Sequence, residues 1–234
     1  MNARSVTPRA VFFDVDFTLI HPGPTFQGVG YRDFCARHGL DVDPDAFDRA
    51  VAEASSLLHA RDEIYDPEIF VRYTSRIIEG MGGSGPAVES ASRDIYDEWA
   101  ICHHFDLYDD VAEVLRAIHA AGVRIGLISN TQRCLTSFQA HFALDGLFSA
   151  TISSSAHGFM KPHPSIFEAA LRQVNVSASD AVMVGDSLAH DIAGARRIGM
   201  HGVLVARGRV PEECPEDVQV IRSLRELPPL IGVS

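Results

Sequence analysis

Apolar and polar positions along the chain follow two rhythms. Short, nearly continuous apolar runs, AVFFDVD, VRIGLISN, FSATISSS, DAVMVGDS and HGVLVAR, are rich in β-branched and aromatic residues and end in Asp, Asn or Ser, or in Arg in the last. Apolar runs without alternation predict strands buried on both faces, the pattern of a parallel sheet covered by helices. Helical patterns separate the later runs. TQRCLTSFQAHFAL lies between the second and third, and HPSIFEAALRQV, with Pro164 in its first turn, between the third and fourth. LAHDIAGARRIG, apolar at Ile192, Ala195 and Ile198 and stopped by Gly199, lies between the fourth and fifth. The fold class expected is α/β, a parallel sheet flanked by helices.

The stretch from His21 to Phe105 breaks this rhythm. It holds four helical patterns, TFQGVGYRDFCARHG, DAFDRAVAEASSLLHA, DPEIFVRYTSRIIEG and PAVESASRDIYDEWA, a glycine-rich break, GMGGSG, and almost no alternation. The expected organisation is a core domain of residues 1–20 and 106–234 with an inserted α-helical cap domain of residues 21–105. Such a lobe, joined by two short hinges beside a strand end, is placed to act as a lid.

Composition narrows the partners. The 234 residues are 46% hydrophobic and carry a formal charge of -11, with no Lys/Arg run or basic stripe to neutralise phosphates. Nucleic acid and anionic membrane are therefore not expected partners, and a small anionic substrate needs its own local positive charge. The start, MNARSVTPRA, has no apolar segment of a signal peptide, and no run is long enough for a membrane span, so the expected location is cytoplasmic. Cys35, Cys102, Cys134 and Cys214 form no CxxC pair and read as reduced, mostly packing residues.

The chemistry stands at the run ends, where ligands bind in an open parallel sheet. The first run carries Asp14 and Asp16 with Thr18 beyond, the second ends in Ser129-Asn130-Thr131, Lys161 follows the third, and the fourth ends in Gly185-Asp186-Ser187 with Asp191 further on. Burying two carboxylates in VFFDVDFTLI costs several kcal/mol unless they are paired. A hard cation such as Mg²⁺, which takes oxygen ligands, relieves that repulsion. Asp14, nearest the strand, suits a nucleophile that attacks phosphorus to give an aspartyl-phosphate. Asp16 suits the general acid and base. Lys161, Ser129 and neighbouring N–H groups suit the phosphoryl oxygens. Because Lys161 precedes Pro162, it is biased away from helix and projects from a loop.

These motifs, DVDFT at Asp14–Thr18, ISN ending in Ser129 and Asn130, Lys161 before a proline, and GDSLAHD from Gly185 to Asp191, resemble in order those of the haloacid dehalogenase-like hydrolase superfamily. The resemblance implies a Rossmann-like core and a helical C1-type cap inserted after the first motif. It also implies Mg²⁺ held by the Asp14 carboxylate, the Asp16 carbonyl and Asp186, with Asp191 supporting the ligands or touching the metal weakly, and phosphate contacts from Thr18, Ser129, Asn130 and Lys161. The residue two past the nucleophile separates dehalogenases from phosphatases, and here it is Asp16, which favours phosphate chemistry. Phe17 departs from the small or polar residue commoner there. GVGYRDFCARHGL is similar to the first cap helix of the REG-2-like hydrolases. The expected function is Mg²⁺-dependent hydrolysis of a small phosphorylated metabolite through an aspartyl-phosphate. A phosphosugar mutase and a non-catalytic phospho-ligand binding protein are the alternatives.

Other features read differently. Asp41, Asp43 and Asp45 alternate like a calcium loop, but Ala46 stands where the loop needs glycine, so helix capping is expected. His103-His104 lacks a spaced partner and reads as the end of the last cap helix. His21 is a candidate for substrate contact. Arg207, which ends the fifth run, and Arg209 just beyond it are candidates to approach the crevice or cap the strand end.

Overall fold

The run AVFF becomes β1 (Ala10–Phe13), buried at every residue because aromatic and aliphatic side chains fill both faces of a central strand. The computed structural model describes residues 7–59, 63–208 and 210–233. The other strands follow as β2 (Ile20–Pro22), β3 (Phe105–Leu107), β4 (Arg124–Ser129), β5 (Phe148–Ser153), β6 (Ala181–Gly185), β7 (His201–Val205) and β8 (Gln219–Ile221). Six of them form one sheet in the order β5-β4-β1-β6-β7-β8, with every pair parallel. β2 and β3 pair in a separate ribbon. The edge strand β8 was not among the five runs, because three residues are too few to carry a pattern.

The expected helices fill the connections: Leu135–His141, Pro164–Val174 and, after β6, a turn of π-helix at Leu188–Ile192 leading into Ala193–Arg197. The last pattern reads as one α-helix in sequence. It begins wider because Ser187 Oγ caps the His190 N–H, while the Ile192 N–H reaches back five residues to the Ser187 carbonyl. One face of the sheet, with Phe12, Ile128 and Met183, packs under Ile166, Phe167 and Ala170 of the helix Pro164–Val174. Each fully buried side chain of this size contributes roughly 1.5–3 kcal/mol. Gly126 makes room for the Phe12 ring, since a Cβ there would stand 2.6 Å from it.

Register decides where the strands end. Phe13 pairs with Leu127 on one side and Val184 on the other, and the Asp14 N–H donates to the Val184 carbonyl at 2.9 Å. β1, β4 and β6 therefore finish nearly level. From β1 the chain winds outward through β4 and β5, then returns to β6 on the opposite flank of β1. That reversal opens a crevice at the carboxyl ends of these strands.

The described residues divide into two units, the chain up to His21 together with Leu107 onward, and Pro22–Asp106. The second is built on the helices Gly28–Arg37, Phe47–Ala54, Pro67–Gly80 and Ala87–Trp99. Asp43 Oδ1 accepts from the Asp45 N–H at 3.0 Å, so the acidic triplet caps a helical turn, and Asp66 caps the Glu68 N–H in the same way. Ile77, Ile78 and Ile95 are buried inside, and Phe26 packs 4.5 Å from Trp99. In GMGGSG, Gly82 and Gly85 adopt φ of 105° and 88°, which reverses the chain between two long helices at no Cβ cost. His103 and His104 close a short 3₁₀ turn after Ala87–Trp99, where His104 Nε2 bonds Glu98 at 2.6 Å. The first six residues and Ala60, at the end of the second helical pattern, lie outside the described residues. Among the described residues no helix is long and apolar enough to cross a membrane.

Candidate active site

Asp14 leaves β1 into a buried cluster of charge. Lys161 Nζ donates to Asp14 Oδ1 at 2.5 Å and to Asp191 Oδ1 at 2.6 Å, and all three residues are buried. Thr18 Oγ1 donates to the other Asp14 oxygen at 3.3 Å. The second Asp191 oxygen accepts the Ser187 N–H at 3.0 Å, so Asp191 is held at both ends and its side chain fixes the ammonium. Gly185 is required for this approach, because a Cβ there would lie 2.2 Å from Asp191 Oδ2. Asn130 braces the lysine from the backbone side. Its Oδ1 accepts the Lys161 N–H at 2.7 Å and its Nδ2 donates to the Lys161 carbonyl at 2.9 Å, across a cis Lys161–Pro162 peptide. Ser129 Oγ, at the end of β4, is buried with no hydrogen-bond partner among the described residues.

Asp16 sits on the turn beyond, partly exposed, with Arg133 Nη1 on both its oxygens at 3.0 and 3.1 Å. Arg133 is 1% exposed and comes from the loop after β4, where the Thr131 hydroxyl accepts its backbone N–H. Sequence reading assigned it to the start of a helix. Its signal was a basic residue on a strand exit, four past Ser129.

Burial dominates the electrostatics. It pushes the Asp14 carboxyl up to about 6, against the pull of Lys161 and with a further push from Asp191. Asp16 is likewise raised by burial, with Arg133 pulling it down. Asp186 is raised well above the ordinary carboxylate value by burial and by the charges of Asp14 and Asp191. Burial alone would lower Lys161, but its two carboxylate partners hold it above the usual lysine value. Oxygens of Asp14, Asp186 and Asp191 lie within 4.8 Å of one another. Three carboxylates thus share one ammonium, and an all-oxygen donor set short of positive charge fits a hard divalent cation.

A family model described as haloacid dehalogenase-like hydrolase matches residues 8–199. The chain belongs to this hydrolase family. It is 27% identical over 248 residues to the haloacid dehalogenase-like hydrolase domain-containing protein 3 of Homo sapiens, covering 95% of this chain and 93% of the relative. It is 29% identical over 204 residues to the glyceraldehyde 3-phosphate phosphatase of Pyrococcus abyssi, covering 86% and 82%. A HAD-hydrolase of Bacillus subtilis solved with magnesium bound superposes with a TM-score of 0.72 at 19% identity, over 97% of this chain and 99% of that one. At that identity the likeness is one of fold.

In this haloacid dehalogenase-like hydrolase the remaining sequence candidates find other places. Arg207 approaches the motif turn from the exit of β7. Its Nε and Nη2 donate to the Thr18 carbonyl at 3.2 and 2.8 Å, its Nη1 and Nη2 pair with Asp110, and its guanidinium lies 3.6 Å above the Tyr108 ring. Asp110 in turn accepts from Ser223 Oγ and the Leu224 N–H, so the turn after Asp14 is tied to two distant segments. His21 packs its ring 4.8 Å from that of Tyr108. Arg209 lies outside the described residues.

Proposed function

We propose that the protein is a Mg²⁺-dependent phosphomonoester hydrolase of small phosphorylated metabolites. One observation carries the reading: a second carboxylate, Asp16, stands two residues beyond the buried Asp14 and is gripped by Arg133. A dehalogenation needs no proton for its leaving group; an ester hydrolysis does. Asp14 attacks phosphorus as the ester O–P bond breaks, and Asp16 gives its proton to the departing alcohol. Water then attacks the aspartyl-phosphate and yields a proton to Asp16, releasing inorganic phosphate and restoring Asp14. Lys161 and the unpartnered Ser129 hydroxyl hold the phosphoryl oxygens, with Thr18 steadying Asp14. Asn130 acts on this site by positioning Lys161. Asp14, Asp186 and the Asp16 carbonyl would hold the cation, which supplies the positive charge that offsets the buried carboxylates.

The phosphatase named among the relatives supports this chemistry. The test is phosphate release from p-nitrophenyl phosphate with Mg²⁺. Activity is expected in the wild type, lost on chelation, and absent in Asp14→Asn. Equal release by wild type and Asp14→Asn would defeat the mechanism.

A further inference from the structure

Phe17, between the two motif residues Asp16 and Thr18, has φ of 63°, a left-handed conformation that bulky side chains disfavour and that Gly or Asn adopts cheaply. The ring is not a core residue, being 45% exposed. Strain kept at a catalytic turn without a gain in core packing points to a use of the side chain. The ring lines a pocket of about 270 Å³ with Tyr108, Asp186, Val205, Arg207 and Pro211. This pocket adjoins the site through Asp186, on the β6 and β7 side of Asp14, whereas Ser129 stands on the β4 side. Its one basic lining residue among those described, Arg207, is already committed to Asp110, the Thr18 carbonyl and the Tyr108 face. Among these lining residues no uncommitted side-chain cation is left to receive an anionic group, while an uncharged ring would meet the rings of Phe17 and Tyr108 and the aliphatic Val205 and Pro211.

We infer that Phe17 is a specificity-determining residue whose ring forms one wall of a pocket for the organic arm of the phosphate ester. The arm it fits is aromatic or otherwise apolar and uncharged, in preference to one bearing a carboxylate. This inference rests on the phosphatase reading for its kinetic test but not for its binding test.

The experiment compares wild type, Phe17→Asn and Phe17→Tyr. With Mg²⁺, the wild type is expected to turn over phenyl phosphate at least about tenfold better in kcat/KM than phosphoglycolate. Phe17→Asn reduces that ratio about tenfold and Phe17→Tyr retains it, the size that covering the open half of a ring produces. In parallel, calorimetry compares phenylphosphonate with phosphonoacetate, neither of which needs to react. If no ester is hydrolysed, yet wild type prefers phenylphosphonate and Phe17→Asn erases the preference, the pocket stands and the phosphatase reading alone falls. An unchanged selectivity in Phe17→Asn, in turnover and in binding, overturns the inference. So does a loss of self-association in Phe17→Asn with selectivity intact, which would make the ring a contact between two copies of the chain.

Discussion

Replacing Lys161 by methionine keeps the length of the side chain and removes its charge. Both of its ion pairs are buried, with side-chain exposures of 2% for Lys161, 10% for Asp14 and 1% for Asp191. Breaking such a pair from one side costs roughly 3–5 kcal/mol, because the carboxylates are left uncompensated. In a protein of this size that lowers the melting temperature by roughly 6–20 °C. The sign with pH follows from Asp14, whose carboxyl stands at about 6 against an ordinary 3.8. Its folded form holds a proton that the unfolded form has lost, so its contribution is fully present below 3.8 and is lost as pH rises through about 6. Without the ammonium that carboxyl rises further. The deficit of Lys161→Met is therefore greatest near pH 8 and narrows toward pH 5. Melting curves of wild type and variant in chelator, at about pH 5, 6.5 and 8, measure it. A deficit equal at all three, or below about 1 kcal/mol at pH 8, would refute the assignment of Lys161 as the counter-charge of Asp14.

Three further outcomes are expected. Arg133→Met frees Asp16 and should lower kcat/KM, which reports the step that expels the alcohol, by roughly 10–100-fold for alkyl phosphates but less for p-nitrophenyl phosphate, whose leaving group needs no proton; equal losses of kcat/KM on both would show that Arg133 does not act through Asp16 as the acid. Gly185→Ala drives a methyl into Asp191 and should cost roughly 1–3 kcal/mol by thermal melting, with kcat falling alongside as Lys161 is displaced; an unaltered kcat would sever Asp191 from the site. Burial would raise the Asp110 carboxyl, but hydrogen bonds from Arg207, Ser223 and Leu224 outweigh it and hold the group below 3.8. Its stabilisation is present above about pH 4 and lost as pH falls further, so Asp110→Asn should cost roughly 2–4 kcal/mol at neutral pH and progressively less in acid; denaturant titrations at pH 7 and pH 3 check this, and a constant difference would contradict it.

Much of the fold was legible because its signals are local. Unbroken apolar runs mark buried parallel strands, and the residues that follow each run stand at its exit by covalent connection alone. Asp14, Ser129 and Asp186 are thus assigned to strand ends by the sequence alone. The short strands β2, β3 and β8 were not legible, since three residues hold no period. The loop after β4 misled, because the helix begins only at Leu135 and Arg133 turns inward before it.

Partnership was decided by tertiary structure. Arg133 reaches Asp16 across 117 positions, Lys161 reaches Asp14 across 147, and Arg207 reaches the Thr18 carbonyl across 189. Nothing near these residues in sequence states which cation serves which acceptor. The Asn130 amide braces the Lys161 backbone across 31 positions, a positioning role that no local signal announces. The sequence by itself determined the elements and the kinds of side chain at each strand exit, since both follow from periodicity and chain connection. The strand order β5-β4-β1-β6-β7-β8 and its level register decided which exits meet, because that is where these side chains, distant in the chain, come within hydrogen-bonding distance and share the cost of burying their charge.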